Sequence, residues 1–477
     1  MGWDRSTAKK RMKDAFDGMK DVDLKPLTRE MDLENLALKE ARIVTAAHVY
    51  LDVTNFQKLL EDRRENTSEL KKLLRHLAVF QRQAERVLRT HAGAVRIHFQ
   101  GARLHFIVHK PYDTEEGAEL ARLVAAVTIV EQLRQLGALV RLQTDIRFEF
   151  EAGIASGDAI ATMNSGRNNR QLLFVGPPAN DAAKVLTGSP GERLAASAEG
   201  YRDDLPAAAD RDPLPESFES AVKEDVDAHP IESFEIVDVR EAIDYERLGK
   251  RVARLSSAAT LYGDVSGFTA YVAGLTDDAT KKIALQHLHA LRTEMQAIVE
   301  VDYGGDFVQF QGDRVQGLFY ELRSTGRFTS KTVEAAAALC SAIDVAKDLF
   351  PELKTLDMAN GADLGKVLVG RVGLKGDKEV IVVGRSVARA DELQRGCKDG
   401  FTAITVGLWE AIEPALQKHF TLEAGRRVSD IDIDRLEAKK TVDSFPARIK
   451  VGGSLSAGAT FTPVTEGGSK PARSYGE

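Results

Sequence analysis

The stretch VYLDVTNF at residues 49–56 and the stretch LYGDVSGF at residues 261–268 share a tyrosine, an aspartate, a valine and a phenylalanine in step. Two further pairs of similar stretches follow in the same order: HFQGARLHF (98–106) with QFQGDRVQGLF (309–319), and LLFVGPPANDAAKVL (172–186) with VIVVGRSVARADELQ (380–394). The members of each pair lie about 210 residues apart, and a nearly constant offset over three ordered matches indicates an internal repeat. The chain therefore contains one domain written twice.

Each copy has the same order of periodic segments. A short β-branched strand ends at the aspartate motif, a helical stretch follows, and a hairpin with alternating apolar and polar residues comes next. A second helical stretch and a further strand then lead to the glycine-containing third motif. This order predicts an α+β fold in which helices pack over a mixed sheet.

The repeat also sets the expected domain boundaries. We predict a charged helical lead-in over residues 1–44, a first domain over 45–202 and a second domain over 251–451. Residues 203–250 contain several prolines and are predicted to link the domains. The Gly/Ser-rich residues 452–477 are predicted to be a disordered tail.

Composition limits the classes of function. The chain is 43% hydrophobic and 29% charged, as expected of a soluble globular protein, and its net charge of −7 argues against a broad nucleic-acid or membrane surface. Cys340 and Cys397 provide neither a disulfide framework nor a zinc-binding spacing. No apolar run is expected to reach bilayer-spanning length. We therefore expect a cytoplasmic protein that binds neither nucleic acid nor membrane.

The second copy brings two carboxylates and a small turn together. Asp264 ends a buried strand, and Asp313 lies in the turn of a hairpin that we expect beside that strand. Oxygen ligands on adjacent strand ends suit Mg²⁺ or Mn²⁺, whereas either aspartate alone is better explained as a turn cap. Backbone N–H groups of the following turn can bind phosphate. That turn consists of Val265, Ser266, Gly267, Phe268 and Thr269.

The stretches LYGDVSGFT, GGDFVQFQGDRVQGLF and GKVLVGRVG…VIVVGRSVARADEL resemble the catalytic core of the class III nucleotidyl cyclases. The resemblance spans most of both copies and implies two ferredoxin-like βαββαβ domains that face each other as an intramolecular pseudo-dimer. It implies that a ribose 3′-oxygen attacks the α-phosphorus of a nucleoside triphosphate, with pyrophosphate leaving and two divalent ions bound. It also implies that Asp264, Val265 and Asp313 are metal ligands.

In that family one domain supplies the metal aspartates, and the facing domain supplies an asparagine and an arginine spaced N-x-x-x-R. The first copy has Asn180 and Lys184 at that spacing, but it has Ala102 in place of the second metal aspartate. The resemblance therefore implies one composite catalytic site, in which Asn180 and Lys184 face the two aspartates of the second copy.

The mirror-related site is expected to be inactive. It would combine Asp52 with Ala102, Ala388 replaces the asparagine, and Glu392 would bring a negative charge into the site in place of the cation. An alternative is that the whole chain is a decayed cyclase that only senses nucleotides. Random decay would rarely leave one complete set of groups, which makes that alternative weaker.

The residues expected to contact the base differ from those of purine-specific members. These members use a lysine or glutamate and an aspartate or cysteine where this chain has His98 and Leu173, and a leucine side chain cannot hydrogen-bond a base. Strand alternation places Tyr50 on the same face as Asp52, where its hydroxyl could reach a small base. Core packing explains Tyr50 equally well, and a half-buried strand position explains His98 slightly better than a base contact.

The tandem layout with these substitutions resembles the bacterial pyrimidine cyclases of antiphage (Pycsar) systems. That resemblance implies a cyclic UMP or cyclic CMP product that activates a separate effector after infection, and we favour UTP as the substrate. An adenylate or guanylate cyclase, a non-catalytic nucleotide sensor and a homodimer of the chain are the alternatives left open.

Overall fold

Two mixed β-sheets of similar topology form the framework of the protein. The computed structural model describes residues 2–63, 66–163, 172–248, 251–324, 326–374 and 377–433. We call residues 23–228 the first unit and residues 235–433 the second unit. Each unit contains one copy of the repeat.

An N-terminal helix precedes the first unit, whose helices and strands alternate along the chain. They are α1 (Arg5–Gly18), β1 (Asp23–Pro26), β2 (Glu40–Val53), α2 (Phe56–Arg63), α3 (Thr67–Thr90), β3 (Ala94–Gln100), β4 (Arg103–Val108), α4 (Ala118–Thr144), β5 (Phe150–Met163), β6 (Leu172–Val175), α5 (Pro177–Lys184), β7 (Gly191–Leu194), α6 (Ala196–Glu199) and α7 (Ser217–Ala228).

The second unit repeats this order and adds a C-terminal extension to its sheet. Its elements are β8 (Glu235–Asp238), β9 (Arg251–Ser266), α8 (Phe268–Ala273), α9 (Asp278–Ala297), β10 (Asp306–Gln311), β11 (Arg314–Phe319), α10 (Phe328–Leu349), β12 (Asp357–Leu374), β13 (Asp377–Val383), α11 (Arg385–Arg395), β14 (Thr402–Thr405), α12 (Val406–Ala411), α13 (Pro414–Gln417), β15 (Thr421–Glu423) and β16 (Arg426–Ser429).

The two sheets share the strand order of a βαββαβ unit. The first sheet is ordered β3-β4-β2-β5-β6, and the second begins β10-β11-β9-β12 in the same arrangement. In both sheets the strand that ends at the aspartate motif is central, and the hairpin lies beside it. The predicted α+β class and ferredoxin-like topology are confirmed.

Glycines in the strands next to the central ones let the third-motif helices approach closely. A Cβ atom on Gly153 would overlap the carbonyl oxygen of Ala182 in α5. A Cβ atom on Gly361, at the matched position, would overlap the backbone nitrogen of Gln394 in α11. Backbone atoms cannot give way as a flexible side chain can, so each helix depends on a glycine beneath it.

Apolar packing joins the two units. Ile160 and Leu173 of the first unit belong to the core that the second unit builds around α9 and α10. Leu368 and Ile381 of the second unit in turn belong to the core built around α3 and α4. Burial of apolar surface therefore stabilises the arrangement of the units as well as each unit.

The N-terminal lead-in is only partly helical, which corrects the expectation for residues 1–44. Helix α1 ends at Gly18, and β1 then pairs in parallel with the beginning of β2. The helix packs on the second unit, not the first: the indole of Trp3 donates to Glu294 at 2.7 Å, and Arg11 pairs with Glu294 and Asp302. Charge periodicity cannot show which distant unit a helix will contact.

Residues 203–248, the described part of the expected linker, are also more structured than a plain linker. They contain α7, which packs on the first unit, and β8, which pairs in parallel with β9. The end of the second domain and the predicted tail lie outside the described residues, which end at 433.

Helix α4 departs from the expectation that no apolar run could span a bilayer. By length and composition it is the one described helix that could do so. In the structure 61% of its most apolar stretch is buried, and Leu133 and Leu136 belong to the first unit's core. Its apolar character is that of a core helix.

Candidate active site

Asp264 and Asp313 lie on neighbouring strands of the second unit. Arg314, the first residue of β11, is the register partner of Asp264 near the end of β9, and Asp313 directly precedes it in the hairpin turn. Asp264 is buried, and its Oδ2 accepts a hydrogen bond from Nε2 of Gln394 at 3.3 Å. The two carboxylates are thus placed side by side by the pairing of two strands.

A cavity between the units brings these aspartates together with residues of the first unit. It encloses about 960 Å³ of space, part of it open to solvent. Its lining includes six of the residues proposed from the sequence: Tyr50, His98, Asn180, Lys184, Asp264 and Asp313.

Asn180 and Lys184 reach this cavity from helix α5. The Asn180 amide donates a hydrogen bond to the hydroxyl of Thr269, which ties the third motif of the first unit to the aspartate motif of the second. The Lys184 side chain is 44% exposed, and its ammonium lies 3.5 Å from Asp181 on the same helix. The cation is therefore held loosely at the rim of the cavity.

The opposite wall of the cavity is aromatic. Tyr50 stacks on His105 with ring centroids 4.2 Å apart and planes inclined by 9°. His98 meets His105 edge-on at 5.2 Å, and Leu173 closes the same wall. Burial lowers the pKa of His98 to about 3 and lowers the pKa of His105 well below its ordinary value, so both imidazoles are neutral at physiological pH.

Residues 265–269 lie beside the cavity and are not among its lining residues. The side chains of Val265 and Phe268 are buried in the second unit's core, and Gly267 adopts a positive φ of 87° before the short helix α8. Thr269 connects this turn to the first unit by accepting the hydrogen bond from Asn180. A phosphate-binding role for Val265, Ser266, Gly267, Phe268 and Thr269 stays a prediction.

A second cavity occupies the mirror-related position, with Asp52, Ala102 and Ala388 in its lining. Asp52 is paired with Arg103 at 2.6 Å. Glu392 is exposed and outside the lining, which differs from the expectation that it would bring a negative charge into this site. Successive residues of a helix point in different directions, and on α11 it is the preceding residue, Asp391, that faces the cavity.

Asp391 is the carboxylate that α11 presents to this second cavity. It is paired with Arg314 and with Arg395, the latter at 2.6 Å. Burial acts to raise the pKa of Asp391, but the charges of Arg314, Arg395 and Arg103 outweigh it and hold the pKa below its ordinary value. Asp52 and Asp391, the two carboxylates in the lining of the mirror cavity, are thus both paired with arginines.

The donor set of the composite cavity suits a hard divalent cation. Asp264 and Asp313 supply carboxylate oxygens, and an Mg²⁺ or Mn²⁺ ion bound by one or two carboxylates completes its shell with water and substrate phosphates. Among the described residues no group of three or more His, Cys, Asp or Glu side chains could hold a metal by itself. The residues therefore fit ions that bind together with a triphosphate.

Several cavity residues were not identified from the sequence. They are His105, Arg103, Gln394, Arg395 and Arg314. A signal existed for the two hairpin arginines, because both hairpins read Gly-x-Arg at 101–103 and 312–314. No comparable signal marks Gln394, since its contact with Asp264 depends on how α11 packs on β9.

Comparisons with known proteins agree with this architecture. No protein-family model matches the chain. It is 29% identical to a uridylate cyclase of Pseudomonas aeruginosa over 474 residues, with 90% of each chain covered. It is 27% identical to a uridylate cyclase of a Rhizobium species over 417 residues, which cover 76% of this chain and 78% of that protein.

A solved structure from Pseudomonas aeruginosa, described as a class III adenylyl cyclase-like ATP-binding protein, is similar over almost the whole chain. It superimposes with a TM-score of 0.82 at 27% sequence identity and covers 91% of this chain and 98% of that one. A match of this extent includes both units in their relative arrangement.

Proposed function

We propose that this chain, a nucleotidyl cyclase with two class III domains in tandem, converts a pyrimidine nucleoside triphosphate, UTP in preference, to the 3′,5′-cyclic nucleotide and pyrophosphate. The observation that carries the proposal is the single cavity in which Asp264 and Asp313 face Asn180, Lys184 and Tyr50. Carboxylates that can hold divalent ions, together with an amide and a cation that can contact the phosphates and sugar, suit this reaction, and the aromatic wall offers a surface for the base.

The reaction exchanges one phosphorus–oxygen bond for another. The ribose 3′-oxygen bonds to the α-phosphorus while the bond to the oxygen bridging toward the β-phosphate breaks, and that electron pair leaves with pyrophosphate. The 3′-hydroxyl proton is released to solvent. Asp264 and Asp313, with the Val265 main chain, would hold the divalent ions, which would polarise phosphoryl oxygens and offset the charge of the leaving group.

Asn180 and Lys184 act on the same substrate from the first unit. The hydrogen bond to Thr269 fixes the Asn180 amide at the cavity wall, where it orients the sugar and α-phosphate. The Lys184 ammonium offsets negative charge that builds on the α-phosphoryl oxygens, as a point charge in place of the bidentate fork of an arginine.

The base is proposed to lie against the aromatic wall. Tyr50 is on the same unit as Asn180, and Leu173 removes the polar contact by which purines are recognised in the resembled family. The two relatives that cover most of the chain are uridylate cyclases, which favours UTP over CTP.

The mirror cavity is proposed to be inactive. Asp52 is paired with Arg103 and Asp391 with Arg314 and Arg395, so neither carboxylate is placed to hold a metal. Ala388 offers no polar side-chain group to a substrate.

The physiological setting is proposed from the resemblance to Pycsar cyclases. The product would be an intracellular second messenger in antiphage defence that activates a separate effector, and a homodimer of the chain would leave the composite site unchanged. Measurement of cyclic UMP in producing cells before and after phage infection tests this role; an unchanged level would contradict it.

The test of the function is a substrate panel. With Mn²⁺ and each of the four ribonucleoside triphosphates supplied separately, we expect fastest cyclisation of UTP. Asp313→Ala should abolish product. Ala102→Asp, which returns the missing carboxylate to the mirror cavity, should add no turnover because Ala388 and Glu392 stand at the positions matched to Asn180 and Lys184. Fastest cyclisation of ATP or GTP would overturn the base assignment.

A second candidate is ATP binding, with or without turnover. It is favoured by the description of the solved structural relative as an ATP-binding protein. The same panel separates the two, because a sensor binds its nucleotide tightly without releasing pyrophosphate.

A further inference from the structure

The aromatic wall is a row of residues that runs across three strands. His98 on β3 is the register partner of His105 on β4, and His105 is the register partner of Tyr50 on β2. Tyr50 lies flat on His105 with centroids 4.2 Å apart, and His98 approaches the same imidazole edge-on. His105 is therefore the central ring of the row.

A second histidine, His48, also contacts the His105 ring. Their ring nitrogens, Nδ1 of His48 and Nε2 of His105, lie 3.3 Å apart, and both side chains are buried. Phe174 packs edge-on against His48 with centroids 5.0 Å apart. The orientation of the His105 ring is thus fixed by His48 as well as by Tyr50 and His98.

The second copy has the same row with different side chains. Gln309 is the partner of Gln316, and Gln316 is the partner of Tyr262. There the two glutamines hydrogen-bond each other at 3.0 Å, and the guanidinium of Arg314 lies 4.0 Å from the Tyr262 ring centroid. The tyrosine is present in both copies.

The imidazoles occur only in the copy that faces the metal aspartates. His48, His98 and His105 correspond to Thr260, Gln309 and Gln316. Both copies form a sheet with the same strand order, so the fold can be packed with either the histidines or the residues that replace them. The histidines therefore belong to the copy whose row lines the proposed substrate cavity.

We propose that His105, anchored by His48, is a positioning residue that fixes the ring of Tyr50 and thereby restricts the base pocket to a pyrimidine. The proposal rests on the proposed function and goes beyond it by assigning the selection to a residue that acts through Tyr50. A flat stack holds the tyrosine ring against the wall in one orientation. A ring held in that way leaves a pocket of constant width for the base.

Charge supports the same role. Burial lowers the pKa of His48 to about 3 and holds the pKa of His105 well below its ordinary value, so the anchoring pair stays neutral across the physiological range. A neutral wall does not draw the triphosphate away from the metal aspartates. We expect the preference for UTP to be constant between about pH 6 and 8, well above these pKa values.

The experiment compares variants that exchange residues between the copies. His105→Gln and His48→Thr install the residues of the second copy, whereas His105→Phe keeps a flat ring under Tyr50. For His105→Gln we expect KM for UTP to rise about tenfold, kcat to change less than about twofold, and the ratio of kcat/KM for UTP over ATP to fall about tenfold. His105→Phe should restore most of that ratio.

Gln316→His is the matched control, because it places an imidazole in the same row of the mirror unit and should alter none of these values. An equal loss of kcat/KM for UTP and ATP in His105→Gln would show a merely structural role and overturn the proposal. Thermal unfolding of each variant checks that it is folded. If His105→Gln does not fold, the same comparison is made with His48→Thr.

Failure of the proposed function is distinguishable from failure of this inference. A wild-type protein that cyclises no pyrimidine triphosphate contradicts the function alone. Calorimetric binding of UTP and ATP to Asp313→Ala, with and without His105→Gln, then still measures selection of the base. An unchanged ratio of the two affinities would contradict the role of His105.

Discussion

Lys184 and Asn180 lie one helical turn apart on α5 and meet different surroundings. The Asn180 amide is fixed on Thr269 across the interface between the units, whereas the Lys184 ammonium makes a long 3.5 Å contact with Asp181 at the rim. A weakly held cation can move toward charge that develops during the reaction, and this is the kind of interaction that stabilises a transition state more than a ground state.

We therefore expect Lys184→Ala to lower kcat for UTP by about 100-fold with little change in KM, and Lys184→Arg to retain most activity. Steady-state kinetics with Mn²⁺ measures both values. Glu392→Ala, at the matched position of α11, is the control and should behave as the wild type. A KM increase as large as the loss of kcat would show that Lys184 contributes only ground-state binding.

At the scale of elements, α1 connects the beginning of the chain to the second unit. Its buried face contains Ala8 and Met12, and Trp3 is 1% exposed just before the helix begins. The Glu294 side chain on α9 has no exposed surface and is paired with Arg11, and Arg11 also pairs with Asp302. A buried carboxylate that loses its cation is strongly destabilising.

Arg11→Ala should therefore lower the free energy of unfolding by about 3–5 kcal/mol, because Glu294 would stay buried without its charge partner. Urea unfolding followed by circular dichroism measures the change. Arg5→Ala on the same helix removes a pair with Asp348 that is exposed on both sides, and it should change the stability by less than about 1 kcal/mol. Equal losses in the two variants would show that α1 is not anchored through Glu294.

At the scale of the whole molecule, buried histidines set the response to acid. Burial lowers the pKa to about 3 in His48, His76 and His98 and to about 4 in His109 and His287. Their unfolded-state pKa is about 6.5, so between that value and the folded-state pKa the unfolded chain binds more protons than the folded chain. Stability from these groups is complete above about pH 6.5 and is lost as the pH falls.

Above about pH 7 we expect the contribution of these histidines to the free energy of unfolding to be nearly constant. Below about pH 6 it should fall by up to about 1.4 kcal/mol per pH unit for each buried histidine. The double variant His48→Thr/His105→Gln should have a shallower decline, by about two such contributions. Urea midpoints over the range from about pH 5 to 8 measure both slopes. Parallel slopes in the wild type and the double variant would contradict neutral burial of this pair.

The amino-acid sequence by itself determined the duplication and the α+β topology, which depend on local patterns such as strand and helix periodicity and a hairpin glycine. The prediction that Asn180 and Lys184 complement the two aspartates needed the family resemblance in addition. The hairpin glycine placed Asp313 in the turn between β10 and β11. The pairing of β11 with β9, which brings Asp313 next to Asp264, was expected from the family resemblance and is made by the fold.

Only the tertiary structure decided which distant residues complete the site. The docking of α1 on α9, the contact of Gln394 with Asp264 and the place of Asp391 in the mirror cavity depend on how helices pack over sheets. The role of His105 was hidden for the same reason. A single histidine in a strand has no distinctive spacing in the sequence. Its proposed role depends on Tyr50 and His48, which the folded sheet places against it.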